Sequence, residues 1–266
     1  MTQDKPVPAL PSATVVLVRE GDPYPELLMI KRRAGDAFGD SYAFPGGVVD
    51  HDESDAHGRI DGRTADEANT ILGVPADGLD FYSAAIREVF EESGILLARA
   101  DDGRWAKVTP EIEALRIEVD KGRLPWARFL ENERLRLACD ALHYFAHWET
   151  PLVSPKRWST RFFLAELPRG QQPSHDDSEV TEIRWLSAAD ALAGARDGHI
   201  KLPFPTMRNL KNMVECKTMD ELFAWADSRA RQEIVKLRPM RIERDGKSMW
   251  AIRGDEGYPP QGDGEP

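Results

Sequence analysis

Cysteine is scarce. The 266-residue chain has two, Cys139 and Cys216, far apart and outside any C-x-x-C pair. That spacing excludes a disulfide framework or a cysteine-built zinc site and makes a reducing compartment the expectation. Long apolar runs are missing too: nothing approaches the ~18 residues of a membrane-spanning helix. The opening MTQDKPVPAL lacks the apolar stretch of a secretion signal, and the closing GDGEP carries no S-K-L-type address. A cytoplasmic protein is expected. Positive charge is in deficit, 35 Lys and Arg against 46 Asp and Glu, for a net charge of −11. Chain-wide attraction to nucleic acid or to an anionic membrane is therefore not expected, although a local basic pocket stays open. What is present suits a globular enzyme: 41% hydrophobic residues, enough for a real core, and 30% charged residues. The length fits one large domain or one domain with insertions.

Patterning supplies the elements. Ala13–Arg19 is a β-branched run and Glu26–Arg32 a second apolar run; the GDPYP between them contains a turn, so a hairpin is predicted. FPGGVVD, Phe44–Asp50, reads as a turn-rich loop. Residues 54–80 are polar and glycine-rich and read as an insertion holding a short helix near Thr64–Leu72. Residues 110–138 read as a second insertion, helical in two pieces broken near Gly122 and Pro125. Strands are predicted in ALHYFAHWETP, TRFFLAELP and TEIRWLS, and Ser187 is placed to cap a following helix. Helices follow from about Thr206 and from Met219. Asp245-Gly246 then sits between two strand-like runs, a hairpin signal. The last ten residues are expected to be disordered.

The chemistry is concentrated in AAIREVFEESGI, Ala84–Ile95. It reads as a helix over about Phe81–Ser93 with Gly94 as its stop. On that helix Glu88, Glu91 and Glu92 share one face, at i, i+3 and i+4, while Ala85, Ile86, Val89 and Phe90 lie roughly opposite. Like charges so placed destabilise a helix by a few tenths of a kcal/mol per pair. Either the face is merely solvated or a cation normally sits there, and hard cations such as Mg²⁺ take carboxylate oxygens.

With FPGGVVDHDE upstream, the segment resembles the Nudix box, G-x5-E-x7-R-E-U-x-E-E-x-G-U with U apolar. Gly47, Glu53, Arg87, Glu88, Val89, Glu91, Glu92, Gly94 and Ile95 fill every defined position. The spacing departs: 33 residues separate Glu53 from Arg87 where the pattern has seven, so about 26 are inserted. Loop-closure cost grows slowly with length, so an insertion is tolerable if its ends still meet. The flanking LLMIKRRAGDAFGDSYAFPGGVVD, HWETPLVSPKRWSTRFFLAE and LPFPTM resemble the branch that includes peroxisomal coenzyme A diphosphatases with an insertion inside the box. The resemblance implies an α/β fold, a Nudix-type α/β/α sandwich with a mixed sheet, inserted segments and a helical C-terminal extension. It would occupy residues 10–232, leaving 233–266 as a C-terminal hairpin and flexible tail.

The same resemblance implies a metal-dependent hydrolase that cleaves a diphosphate linkage, with coenzyme A or acyl-coenzyme A favoured. ADP-ribose, dinucleotides or nucleotide diphosphates are alternatives. A catalytically inactive binding module on the same fold is the reading from another class. Glu88, Glu91 and Glu92 would be ligands of Mg²⁺ or Mn²⁺. Arg87 would point off the metal face and brace Glu53 through a bidentate pair. Gly46 and Gly47 would let the main chain approach the metal site closely. The base is sought in HDDSEVTE, among Asp176, Asp177, Glu179 and Glu182, with Glu179 preferred. Arg32, Arg33 and Arg161, with Lys31 and Arg157, are candidate contacts to substrate phosphates, and surface solvation is the plain alternative. Core packing is preferred to base stacking for Trp148, Trp158 and Trp185. The expected partner is a small-molecule diphosphate, without nucleic acid or membrane. A lid, a homodimer contact and a surface excursion all fit the insertion.

Overall fold

The run SATVVLVR has to be hidden on both sides, because alternate residues of a strand face opposite ways and nearly all of these are apolar. The computed structural model describes residues 6–33, 35, 39–175, 179–244 and 246–259, and in it this run is the middle of a sandwich. Ala13, Val15 and Leu17 pack one way, and Val16 and Val18 the other, all five fully buried.

The chain begins with β1 (Leu10–Arg19), β2 (Glu26–Arg32), β3 (Tyr42–Ala43) and β4 (Gly46–Val48). A 3-10 helix (Glu53–Arg59), β5 (Ile60–Asp61), α1 (Ala65–Leu72) and α2 (Gly78–Ser93) follow. Next come β6 (Ala98–Ala100), α3 (Pro110–Asp120), α4 (Trp126–Asn132), β7 (Leu135–Ala138), β8 (His143–Glu149), β9 (Trp158–Glu166) and β10 (Val180–Ser187). The last part holds α5 (Ala188–Arg196), α6 (Phe204–Met213), α7 (Met219–Ala230), β11 (Lys236–Leu237), β12 (Met240–Arg244) and β13 (Lys247–Ala251).

The main sheet runs β10-β2-β1-β9-β8-β11, with β3 on β2 and β4 on β1. It is mixed: β1 is antiparallel to β2 and β4 but parallel to β9. One face carries α2 with the helices of both insertions, and Ile86, Val89, Phe90 and Phe129 join that core. The other face carries α5, α6 and α7 through Ala191, Leu210, Leu222 and Ala226. This is the expected α/β/α sandwich with a mixed sheet. The hairpin predicted at the C-terminus is present as β12 and β13, which pair only with each other among the described residues; Asp245 at its turn and residues 260–266 of the expected tail lie outside the described residues.

Two expectations change, and one open alternative is narrowed. The Phe44–Asp50 loop contains β4, whose Gly46 and Gly47 pair with Thr14 and Ala13 of β1. Residues 135–138 are not helix but β7, paired with β5 and β6 in a small separate sheet; there the pairing overrides the helix-forming propensity of Leu-Arg-Leu-Ala. The first insertion is also more than a surface excursion. Its α1 begins with a capping box between Thr64 and Glu67, ends at Gly73 in the left-handed conformation, and buries Ala68 and Leu72. Ala56 of the 3-10 helix is fully buried as well.

Candidate active site

Helix α2 ends where Gly94 turns left-handed (φ 69°) and its N–H bonds back to Phe90. Its last turns lie against the β1–β4 edge of the sheet, and this removes the acidic face from water. The side chains of Glu88, Glu91 and Glu92 are 15%, 11% and 6% exposed, and that of Glu53 is 1% exposed. A merely solvated acidic face is therefore ruled out.

The two halves of the split motif meet. Arg87 Nε donates to Glu53 Oε1 at 2.8 Å, and Ser83 Oγ donates to Glu53 Oε2 at 2.5 Å. The brace between Arg87 and Glu53 is real but not bidentate, because the serine takes the second oxygen. Nor does Arg87 point off the acidic face. Its Nη1 donates to both Glu88 (2.9 Å) and Glu91 (2.8 Å), and its Nη2 donates to the Val48 carbonyl (2.9 Å) and pairs with Asp50 (3.2 Å). One guanidinium thus ties together both halves of the motif and the loop between them.

Gly46 and Gly47 bring the main chain close to the acidic face. The Gly46 N–H donates to Glu92 Oε2 at 2.7 Å. A Cβ on Gly47 would collide with the Glu88 carboxylate, and one on Gly46 with Ala13 and Thr14 of β1. Arg32 is placed otherwise than expected: its Nη2 bonds the Gly46 carbonyl (2.7 Å) and pairs with Glu92 (2.8 Å). It fixes the loop and the carboxylate and is already engaged where a substrate phosphate was expected. Arg33 is exposed, and its main-chain N–H donates to the Glu179 carbonyl at 2.9 Å.

Arg161 is corrected outright. Residues alternate along β9, so Arg161 faces the α2 side while Thr160 and Phe162 face the other. It is 7% exposed, lies 4.1 Å over the Phe81 ring and reaches toward the Leu72 carbonyl. Arg157 is buried in a pair with Glu149 at 2.6 Å. Neither is placed to meet a phosphate at the acidic cluster. Lys31 pairs with Asp40 at 3.0 Å.

Burial drives the titration of the site. It pushes the carboxyls of Glu53, Glu88 and Glu92 above their ordinary range, against the pull of the neighbouring guanidiniums. Glu91 is pushed up to about 8, by burial first and then by the charges of Glu88 and Asp120, despite Arg87. Burial works against the charge on Arg87, but the charges of Glu88, Glu53 and Glu91 outweigh it and raise its pKa. Glu179, at the mouth of β10, is exposed and near enough for its charge to help raise Glu92. Glu182 is held by the Tyr42 hydroxyl and by Arg184, both at 2.5 Å. Asp176 and Asp177 lie outside the described residues.

These four buried carboxylates face the two guanidiniums of Arg87 and Arg32. With all four ionised the shortfall would be two positive charges, which is why burial raises these groups, and every donor is a hard oxygen. That is the chemistry of a site for a divalent, oxygen-preferring cation. Among the described residues no three acidic, imidazole or thiol groups already converge as a ligand set; Arg87 Nη1 sits between Glu88 and Glu91.

Three supports were not read from the sequence. Ser83 lies one turn before Arg87, and that i, i+4 spacing is a signal that could have exposed it. Trp126 of α4 donates its indole N–H to Ser83 Oγ at 3.1 Å. Arg116 of α3, 3% exposed, donates to the Glu91 carbonyl at 2.7 Å. Nothing in local spacing points to Trp126 or Arg116, because both come from the second insertion.

The family described as NUDT19 Nudix domain matches residues 59–213, more than half of the chain. The acyl-coenzyme A diphosphatase NUDT19 of Xenopus laevis is 26% identical, over 90% of this chain and 72% of that protein. The human protein of the same name is also 26% identical, over 73% of this chain, which spans 55% of the human protein's length. A crystal structure of a NUDIX hydrolase from Alicyclobacillus acidocaldarius, 24% identical, superposes with a TM-score of 0.69 over 82% of this chain and 96% of that one, and it shares the fold. With its split signature closed around Arg87, the chain belongs to the NUDT19 Nudix domain family of Nudix hydrolases.

Proposed function

We propose that this protein is a diphosphatase that hydrolyses coenzyme A or acyl-coenzyme A with the help of Mg²⁺ or Mn²⁺, in a cytoplasmic setting. The observation that carries the reading is the 2.8 Å link between Glu53 and Arg87, which restores the interrupted signature beside three further buried carboxylates. Nudix hydrolases generally depend on a divalent metal. Here Glu88, Glu91 and Glu92 would hold it, and it would supply charge stabilisation to phosphoryl oxygens and an acidified water.

The other roles belong to the chain. Glu179 is exposed beside Glu92 and would accept the proton of the attacking water. The water oxygen bonds to one phosphorus, the bridging P–O bond breaks, and the departing phosphate monoester carries away the bridging oxygen. Coenzyme A would yield 4′-phosphopantetheine and 3′,5′-ADP. Arg87 and Arg32 hold the carboxylates in place, and the Gly46 N–H fixes Glu92 beside them.

A panel of diphosphates incubated with Mg²⁺ or Mn²⁺, followed by mass analysis of products, tests the reading. Coenzyme A and its thioesters should be cleaved, and Glu91→Gln and Glu92→Gln should each lower kcat by ~100-fold or more. Turnover of ADP-ribose or nucleotide diphosphates alone would remove the coenzyme A assignment and leave the reaction class. Metal binding without turnover of any diphosphate would make the chain a binding module instead.

A further inference from the structure

A cleft of about 530 Å³ opens on the face of the sheet opposite α2. It begins at Gly46 and Gly47, the same main chain that touches Glu92 and Glu88, so it leads directly away from the acidic cluster. Its walls are rings: Phe44, Trp158, Phe162 and Phe204, with prolines that have no N–H to offer. Two charged side chains line it, and both are already engaged. Arg32 is bonded to Glu92 and the Gly46 carbonyl. Glu149 is held by Arg157, Arg238 and Lys236. Ser12 and Thr160 bond each other across the floor at 2.6 Å. A dianionic phosphate drawn into this space would meet the Glu149 carboxylate and one guanidinium, Arg32, that is already engaged, whereas an uncharged chain would meet apolar rings.

The far wall comes from outside the matched Nudix segment, which ends at residue 213. Pro239, just before β12, and Trp250 of β13 contribute to that wall. Trp250 is 38% exposed, a large apolar surface left open beside a cavity, and its ring lies 5.3 Å from the Arg241 guanidinium. The base of the hairpin is tied down: Arg238 Nε donates to Glu149 at 2.8 Å, and Arg208 of α6 pairs with Asp255 at 2.6 Å. The indole is therefore held over the cleft by the charge network that also occupies Glu149.

We propose that this cleft binds the uncharged, thioester-bearing pantetheine arm of the substrate, and that Trp250 on the C-terminal hairpin is the residue that selects for an acyl chain. The assignment rests on the coenzyme A reading for its substrate, but it is tested without turnover. Pantetheine and S-octanoyl-pantetheine, neither of which carries a diphosphate or a nucleotide, are titrated into the full chain by calorimetry. A buried methylene is worth up to roughly fourfold in affinity, so the octanoyl compound should bind at least ~10-fold more tightly than pantetheine. Trp250→Ala should lose roughly 10-fold for the octanoyl compound and no more than about twofold for pantetheine, with Trp250→Phe restoring most of the loss. Met249→Ala, on the opposite face of the hairpin, should change neither.

Equal affinity for the two compounds, no binding of either, or equal weakening of both by Trp250→Ala overturns the proposal. Coenzyme A turnover is read separately. Discrimination between the fragments in a protein that leaves coenzyme A intact refutes the reaction and keeps the cleft. Turnover of coenzyme A with no discrimination between the fragments does the reverse.

Discussion

Gly47 packs directly against the acidic cluster. The missing Cβ is what allows β4 to lie against the Glu88 carboxylate while still pairing with Ala13. Gly47→Ala should push Glu88 aside and lower kcat by at least ~10-fold, because misplacing a catalytic group by about an ångström costs that much or more. The strand pairing around it should survive, so the thermal midpoint should move by only a few degrees; turnover and a melting curve on the same sample check both halves. The sequence made this residue legible because its type and its place in the motif both matter. Arg87 was legible only in part. Its bond to Glu53 followed from the motif and its i, i+4 spacing offered a pair with Glu91, but that one guanidinium makes both while also reaching Glu88 shows only once the two halves are folded together. Arg161 was misread for the same reason: a basic residue on a strand has a side, and only the packing of α2 over β9 reveals that its side faces Phe81.

Elements announced themselves where local signals and tertiary demands agreed. Helix α1 carries a Thr64–Glu67 capping box and a Gly73 stop, and its observed span matches the sequence reading. Strands β4 and β7 were illegible for opposite reasons. The two glycines of β4 have no strand propensity and are ordered by the open edge of β1, and β7 reads as helix until β5 and β6 pair with it. The insertion gives this scale its test. Leu72 at the end of α1 is 3% exposed and belongs to the core that covers α2. Leu72→Ala should destabilise the protein by about 2–4 kcal/mol in urea unfolding. A loss below about 0.5 kcal/mol would return the insertion to the status of a surface excursion.

Acid tolerance belongs to the whole molecule, since one half-buried imidazole couples to the stability of the entire sheet. His147 of β8 lies between Arg161 and Lys236 in the strand register, with Nε2 2.7 Å from Ser159 Oγ. Burial first, then the charges of Arg161 and Lys236, push it down to about 4. The folded protein therefore keeps it neutral where the unfolded chain takes up a proton. Its contribution is complete above about pH 6.5 and is lost as pH falls toward 4. His147→Gln should remove roughly 1–2 kcal/mol of the difference in unfolding free energy between pH 7 and pH 4.5, after discounting for partial exposure. Identical pH slopes in the two proteins would refute it. One larger consequence concerns the ring closed by Glu53 and Arg87. The span between them is folded into the same core that seats α2, and Trp126 and Arg116 press on that seat from the other insertion. A change in the packing of those added segments would therefore be felt at the carboxylates, because the same core holds both.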